Sequence, residues 1–287
     1  MTPESHHLAQ PLRRDTSVIF SSPHSGRCYS AAFLAQSQLD SQSIRSSEDA
    51  YVDLLIDMAP DFGIPLITAK TPRAFIDFNR AVDELDPSVI EGVVRSAHNP
   101  RVSSGLGVIP RVVANGRAIY RGKIPLLDAQ DRITQYWHPY HAALRGLIAQ
   151  SHTRFGQAVL IDFHSMPHEA IDAHARPGQA KPEVVLGDRF GAAAGADIMD
   201  RVEASFQAAG LRVVRNAPFA GAHITQAYGR PLLGQHVVQV EIDRALYLDE
   251  AMVAPSRNFA MFRRIMGGVV ADLSQIGRSD ESQLAAE

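Results

Sequence analysis

Four short apolar runs in this chain each end in, or lead to, a group that can do chemistry. They are His24 in VIFSSPHSGR (18–27), Arg80 in AFIDFNR (74–80), His164 in AVLIDFH (158–164) and Glu241 in VVQVEID (237–243). His24 sits past a proline among Ser and Gly, open surroundings that a merely packed imidazole does not need. Two imidazoles and a carboxylate, with one coordination position left open, are a recurring catalytic zinc arrangement, because neutral nitrogen and charged oxygen suit that ion. The open position holds water and lowers its pKa to about 7. The compact H-E-x-x-H and C-x-x-C patterns are absent, so the ligands must come from separate segments. Candidates are His24, His164 and either Glu48 or Asp49. Asp49 also has a structural reading, since Ser46 three residues before it makes a capping box.

Other chemistries fit less well. Cys28 is four residues from His24 but has no obvious third orienting group. Ser25 and Ser165 flank the histidines without a G-x-S-x-G elbow. AAAGADIMD reads as helix interior, so no Gly-rich phosphate cradle is found.

These groups need a scaffold that gathers several strand ends. The runs 17–22, 64–69, 74–79, 158–163, 211–216 and 237–243 are expected strands, near-continuously apolar as suits strands covered on both faces. A helix is expected over 49–63, with Val52, Leu55, Ile56 and Ala59 on one face and Gly63 as its stop. A second, over 128–150, carries Ile133, Trp137, Tyr140, Leu144 and Leu147, with Pro139 expected to kink or split it. A third spans 188–210, with Phe190, Ala194, Ile198, Val202 and Phe206 on one stripe and Gly210 at its end. The last occupies roughly 252–274. Asn115-Gly116 between apolar runs signals a hairpin. The expected fold is a single α/β domain over 16–274, a central mixed β-sheet flanked by helices. Polar residues 1–15 and 275–287 are expected to be flexible ends. In such sheets active sites gather at the C-terminal ends of strands.

Composition narrows the class. The chain has 287 residues, 45% hydrophobic, with net charge −3 and scattered Lys and Arg, which argues against a nucleic-acid or membrane-surface partner. One cysteine excludes an intramolecular disulfide framework. Without a signal-like N-terminus or a run of roughly 18 apolar residues, the expected location is cytoplasmic.

Seven blocks, in order, carry a family resemblance: PHSG (23–26), EDAYVDLLIDMA (48–59), RAFIDFNRAVDELDP (73–87), YWHPYHAAL (136–144), IDFHSMP (161–167), NAPFAGAHITQAYGRP (216–231) and HVVQVEIDRALYLDE (236–250). Together they resemble the N-formylglutamate amidohydrolase family over roughly 17–250. That resemblance implies a phosphorylase/hydrolase-like fold, distantly related to zinc carboxypeptidases and aspartoacylases. It implies hydrolysis of the C–N bond of an N-formyl or N-acyl amino acid, in the named reaction N-formylglutamate to formate and glutamate, a step of histidine degradation. It further implies one zinc, or another divalent metal, per chain on His24, Asp49 and His164, with Asp49 rather than Glu48 at the family's acid. Arg27 stands where an H-x-x-E spacing would place its acid. Glu241 takes the place of the general base. Arg80 matches an arginine that binds a substrate carboxylate or polarises the acyl oxygen. His236 is a candidate donor to substrate, and Thr225, Gln226 and Tyr228 line the expected substrate loop.

Gln226 stands where members acting on formylglutamate typically carry arginine. A neutral amide cannot replace a bidentate guanidinium, so a different N-acyl amino acid is a rival substrate. A metal- or ligand-binding module without turnover is a rival of another class, against which the retained Glu241 argues. Asp162 is expected to point away from His164 and be structural. Asp53 either orients a histidine or is a solvated helix acid, while Asp77 and Asn79 are expected to support the loop of Arg80. His138, His141, His168 and His174 read as structural or surface residues.

Overall fold

Every residue of the run Ala158–Met166 is buried, which requires cover on both faces and a partner on each edge. The computed structural model, which describes residues 4–94, 99–172 and 181–278, supplies all of these. Its strands are β1 (His6–Ala9), β2 (Val18–Ser22), β3 (Leu66–Ala69), β4 (Ala158–Met166), β5 (Val184–Gly187), β6 (Val213–Arg215) and β7 (Gln235–Asp243). They make one seven-stranded mixed sheet in the order β1-β3-β2-β4-β7-β5-β6. β3, β2, β4 and β7 run parallel, β1 and β5 join antiparallel, and β6 is parallel to β5. The helices are α1 (Ala31–Gln36), α2 (Val52–Leu55), α3 (Pro100–Ser103), α4 (Leu126–Arg132) and α5 (His138–Phe155). They continue with α6 (His168–Asp172), α7 (Ala196–Ala208), α8 (His223–Tyr228) and α9 (Phe259–Leu273). The whole is a single α/β domain with helices on both faces of the sheet.

Strand alternation divides the core. Val18, Phe20, Val159, Ile161, Phe163, Val238, Val240 and Ile242 face α2, α7 and α9 through Leu55, Phe206 and Met266. Ile19, Ile67, Leu160 and Val237 face α5 through Tyr140, Leu144 and Ile148. Each fully buried side chain of this kind contributes roughly 1.5–3 kcal/mol. Toward the C-terminal strand ends the α5 side changes character. There the inward positions become Ser21, Asp162, His164, Gln239 and Glu241, all of them buried. The site is thus a polar end built into one layer of an otherwise apolar core.

Several expectations meet a different local structure. Residues 74–79 form no strand. Ala74, Ile76 and Phe78 are buried, but the Asp77 carboxylate accepts from the Asn79 amide at 2.8 Å and turns the chain. The helix expected over 49–63 is two short pieces, α2 and a 3₁₀ turn at Ala59–Phe62 that stops at Gly63. Its four apolar residues are nonetheless all buried. Pro139 is accommodated by a π-turn over Ile133–Trp137, in which the His138 amide bonds the Ile133 carbonyl immediately ahead of α5. The third helix begins only at Ala196, and Phe190, expected on its buried stripe, is exposed. The Asn-Gly hairpin forms as a Val112–Ala118 bridge with positive φ at Asn115 and Gly116. Part of the expected flexible N-terminus is ordered, because β1 covers the otherwise open edge of β3. Ile276 is likewise buried, and its carbonyl accepts from Thr16 Oγ1 at 2.6 Å. No helix of the described residues is long and apolar enough to cross a membrane.

Candidate metal centre and active site

The loop after β2, the loop before α2 and the end of β4 converge on one point. His24, Asp49 and His164, all buried, offer ligand atoms within 4.8 Å of one another. His164 Nδ1 lies 3.1 Å from His24 Nδ1 and 2.9 Å from Asp49 Oδ2, and His24 Nδ1 lies 3.3 Å from the same oxygen. Bonds of 2.0–2.1 Å to a tetrahedral ion place ligand atoms about 3.3 Å apart. Two neutral nitrogens and one carboxylate oxygen at this separation fit a divalent cation, and the donor chemistry suits one of borderline softness.

Each donor is held from behind. His24 Nε2 donates to Asp77 Oδ1 at 2.7 Å, and Arg73 Nε secures the other Asp77 oxygen at 2.9 Å. His164 Nε2 lies 2.9 Å from Asp162 Oδ2, whose second oxygen accepts from Ser21 Oγ at 2.5 Å. With both Nε2 atoms used as donors, both Nδ1 lone pairs are directed at the shared point. Asp49 Oδ1 is occupied by Arg244 Nη2 at 3.1 Å and Ser165 Oγ at 3.3 Å, which leaves Oδ2 for the centre. Burial alone would raise the Asp49 carboxyl, but the adjoining His164 and His24 outweigh it and hold it well below the usual carboxylate range. Asp77 is held low in the same way, with His24 and Arg73 outweighing burial.

Close backbone packing places the His24 loop. A Cβ on Gly26 would lie 2.1 Å from the Thr71 carbonyl oxygen, and the Cys28 amide bonds the Lys70 carbonyl at 3.0 Å. Across the site, Gly187 ends β5 where a Cβ would meet the Ala220 backbone at 2.6 Å. The 218–222 segment can therefore cross there and wall the cavity.

That cavity has a volume of about 550 Å³ and is lined by His24, Asp49, His164, Glu241 and four arginines, Arg73, Arg80, Arg101 and Arg244. Glu241 pairs with His164 in the β4–β7 register and shares a strand face with Gln239, whose Nε2 donates to Glu241 Oε1 at 2.8 Å. Burial, with the neighbouring Asp49 charge, pushes its carboxyl up to about 7, while His164, Arg73 and Arg244 oppose the shift. A carboxyl poised near neutrality inside a cleft, beside a candidate cation site, has the character of a general base.

Residues 16–248 match the sequence model of the N-formylglutamate amidohydrolase family. The chain belongs to that family. It is 30% identical over 237 residues to the N-formylglutamate deformylase of Pseudomonas aeruginosa, covering 81% of this chain and 82% of the relative. The N-formylglutamate deformylase of Pseudomonas putida is 29% identical over 236 residues, with the same coverage. Among solved structures, the N-formylglutamate amidohydrolase from Ralstonia eutropha superposes with a TM-score of 0.88 at 31% identity, over 94% of this chain and 97% of that one. A gene product of Agrobacterium tumefaciens shares the fold, with a TM-score of 0.62 at 14% identity over 96% and 98% of the two chains.

In this member of the family the expected groups divide in two. His24, Asp49, His164, Arg80 and Glu241 line one cavity. His236, Thr225, Gln226 and Tyr228 do not. His236 lies at the opposite end of β7 from Glu241, where its Nδ1 accepts from the Gly195 amide at the start of α7. Thr225 is buried and donates to the Ala222 carbonyl at 2.7 Å, bracing the cavity wall from behind. Gln226 is exposed and lines a neighbouring cleft with Arg101, Arg189 and Arg230. Tyr228 Oη is 2.6 Å from His141 Nδ1 and their rings stack.

Glu48 is engaged by Arg45 and Tyr29, away from the trio, and the capping box does not form because Ser46 Oγ donates to the Ser43 carbonyl. Asp53 pairs bidentately with Arg27, so it orients no histidine. Asp162, expected to point away, is instead the partner of His164, since residues two apart share a strand face. Asn79 packs with Nδ2 3.1 Å from His164 Nε2, and its Oδ1 accepts from the Ile224 amide at 2.7 Å, tying the neighbourhood of the centre to α8. Among the other histidines, His141 is buried, His138 is exposed and His168 pairs with Asp243. His174 lies outside the described residues, as does the chain from 279 onward. Arg73, Arg101 and Arg244 were not foreseen, because a guanidinium that reaches in from outside the apolar strands leaves no local pattern.

Proposed function

We propose that this chain is a zinc-dependent deformylase that hydrolyses the amide C–N bond of an N-formyl amino acid, N-formylglutamate first, releasing formate and glutamate. The observation that carries this reading is the meeting, in one cavity, of the His24–Asp49–His164 donor set with a buried carboxyl raised to about 7. The names of the Pseudomonas and Ralstonia relatives supply the substrate.

His24, Asp49 and His164 would hold one zinc ion per chain. A bound zinc ion supplies Lewis acidity, favouring deprotonation of water and stabilising negative charge on the formyl oxygen. Glu241 removes a proton from the attacking water, whose oxygen forms the new bond to the formyl carbon. As the C–N bond breaks, Glu241 delivers that proton to the departing nitrogen, giving formate and a free amine. Arg80 directs part of its guanidinium to substrate. Its Nε and Nη1 are fixed on the Leu106 and Asn79 carbonyls, each at 2.8 Å, which orients Nη2 as a rigid donor for a carboxylate.

The test combines elemental analysis with formate release from N-formyl-L-glutamate. Expected are about one zinc per chain, lost in His24→Ala and His164→Ala. Turnover should fall by about 10²–10⁴-fold in Glu241→Gln with zinc retained. Protein that binds no metal and stays inert when zinc is added overturns the reading.

A further inference from the structure

The main cavity carries more positive charge than the donor set and the base require. Four guanidiniums line it against two carboxylates, Asp49 and Glu241, in a chain whose net charge is −3. Two of the four are committed to carboxylates: Arg73 to Asp77 at 2.9 Å and Arg244 to Asp49 at 3.1 Å. The other two are not. Arg80 is buried and bonds only backbone carbonyls. Arg101, half-buried on α3, has no side-chain hydrogen bond or ion pair among the described residues. Burial lowers the proton affinity of Arg80, and Arg73 and Arg101 lower it further against the opposing charge of Asp77, so these guanidiniums share one field. An anionic ligand between Arg80 and Arg101 would relieve that repulsion, and two uncommitted guanidiniums match two anionic groups on one molecule.

We propose that Arg101 is the specificity-determining residue of this site, binding the side-chain carboxylate of a dianionic N-formyl amino acid whose α-carboxylate is held by Arg80. This assignment rests on the deformylase reading above. Arg80 follows Asn79, which touches His164, so it takes the carboxylate nearest the scissile amide. Arg101 reaches the cavity from a different segment and takes the farther one. Gln226 does not line this cavity; it lines the neighbouring cleft, with which the cavity shares Arg101.

The test measures kcat and KM of the zinc-loaded protein and its Arg101→Gln and Arg101→Lys variants on N-formyl-L-glutamate and N-formyl-L-glutamine. The two substrates differ only in the charge of the side chain. In Arg101→Gln, KM for the glutamate substrate should rise about 10–100-fold with kcat within about threefold, as for loss of a charge-assisted hydrogen-bond pair. Both parameters for the glutamine substrate should stay within about twofold. Arg101→Lys, which keeps charge but not the planar fork, should fall between. Arg101 has no protein partner to lose among the described residues, so the fold should be intact. Equal losses on both substrates, or a wild type that does not discriminate between them, overturn the role of Arg101 while the deformylase reading stands. Formate released from neither substrate overturns that reading and this inference together.

Discussion

Asp162 and His164 stand two residues apart on one face of β4, and Asp162 Oδ2 meets His164 Nε2 at 2.9 Å. The strand pleat alone brings them together. The proton shared between them leaves Nδ1 of the same ring as the inward lone pair. The matching contact for His24 comes from Asp77, in an irregular segment over 50 positions away in sequence, at 2.7 Å. Opposite routes through the chain thus produce the same device twice.

Asp162→Ala and Asp77→Ala should each lower zinc affinity by about 10–100-fold, the usual effect of removing a carboxylate that orients a metal-binding histidine. Competition against a chromophoric chelator measures this directly. Glu241→Gln is the control, since it alters the cavity without touching either histidine anchor. Affinity unchanged in Asp162→Ala would mean that the strand and its packing suffice to fix the ring.

Glu241 predicts the pH profile. Its carboxyl is raised to about 7, and only the deprotonated form accepts a proton from water, so kcat/KM should climb with pH and level off. The ascending limb should lie at or below pH 7, because a cation in the neighbouring site favours the carboxylate. Gln239 Nε2 donates to Glu241 Oε1 and likewise favours the charged form. Gln239→Ala should therefore move the limb upward, and a downward shift would remove Glu241 as its source.

The parts of the molecule legible in sequence are those with local signals. β2, β4 and β7 are apolar runs ending in His24, His164 and Glu241, and both the runs and the residues lie where the strand-end rule puts them. Residues 74–79 show the limit of that rule. Ala74, Ile76 and Phe78 alternate inward as in a strand, yet this segment pairs with no neighbouring strand and the Asp77 carboxylate turns it. Two strands of four residues each, β1 at the sheet edge and β5 between β7 and β6, were not foreseen. His236 and Tyr228 are polar groups in sequence, but the Gly195 amide and the His141 ring engage them outside the cavity lining. Partnership across long sequence separations is what no local pattern reports.

Gly26 marks where the histidine loop tolerates no side chain. A Cβ 2.1 Å from the Thr71 carbonyl oxygen cannot be relieved by rotating a side chain, because the obstructing atom is backbone. Gly26→Ala should displace the loop, costing about 2 kcal/mol or more and several degrees of Tm. Zinc stoichiometry should fall with it, since His24 is two residues away. Wild-type Tm and full zinc content in this variant would show that the loop has more freedom than its contacts imply.

His141 predicts an acid-sensitive fold separate from the catalytic centre. Its Nε2 donates to the Phe78 carbonyl at 2.8 Å and its Nδ1 accepts from Tyr228 Oη at 2.6 Å, a pattern open only to the neutral ring. Burial lowers its pKa to about 3, with the charges of His223, Arg145 and His138 adding to the effect and the Phe78 bond opposing it. The folded value thus lies below the unfolded one of about 6.5. Between those values the unfolded chain binds a proton that the folded chain refuses. Stability from this residue is complete above pH 6.5 and is lost as pH falls toward 3, at about 1.4 kcal/mol per pH unit. Urea unfolding of the wild type should show about 2 kcal/mol less stability at pH 5 than at pH 7 from this residue alone. His141→Gln should be less stable at pH 7, through loss of stacking on Trp137 at 3.7 Å, but its stability should fall less steeply with acid. Parallel pH dependence in the two proteins would place the acid sensitivity elsewhere.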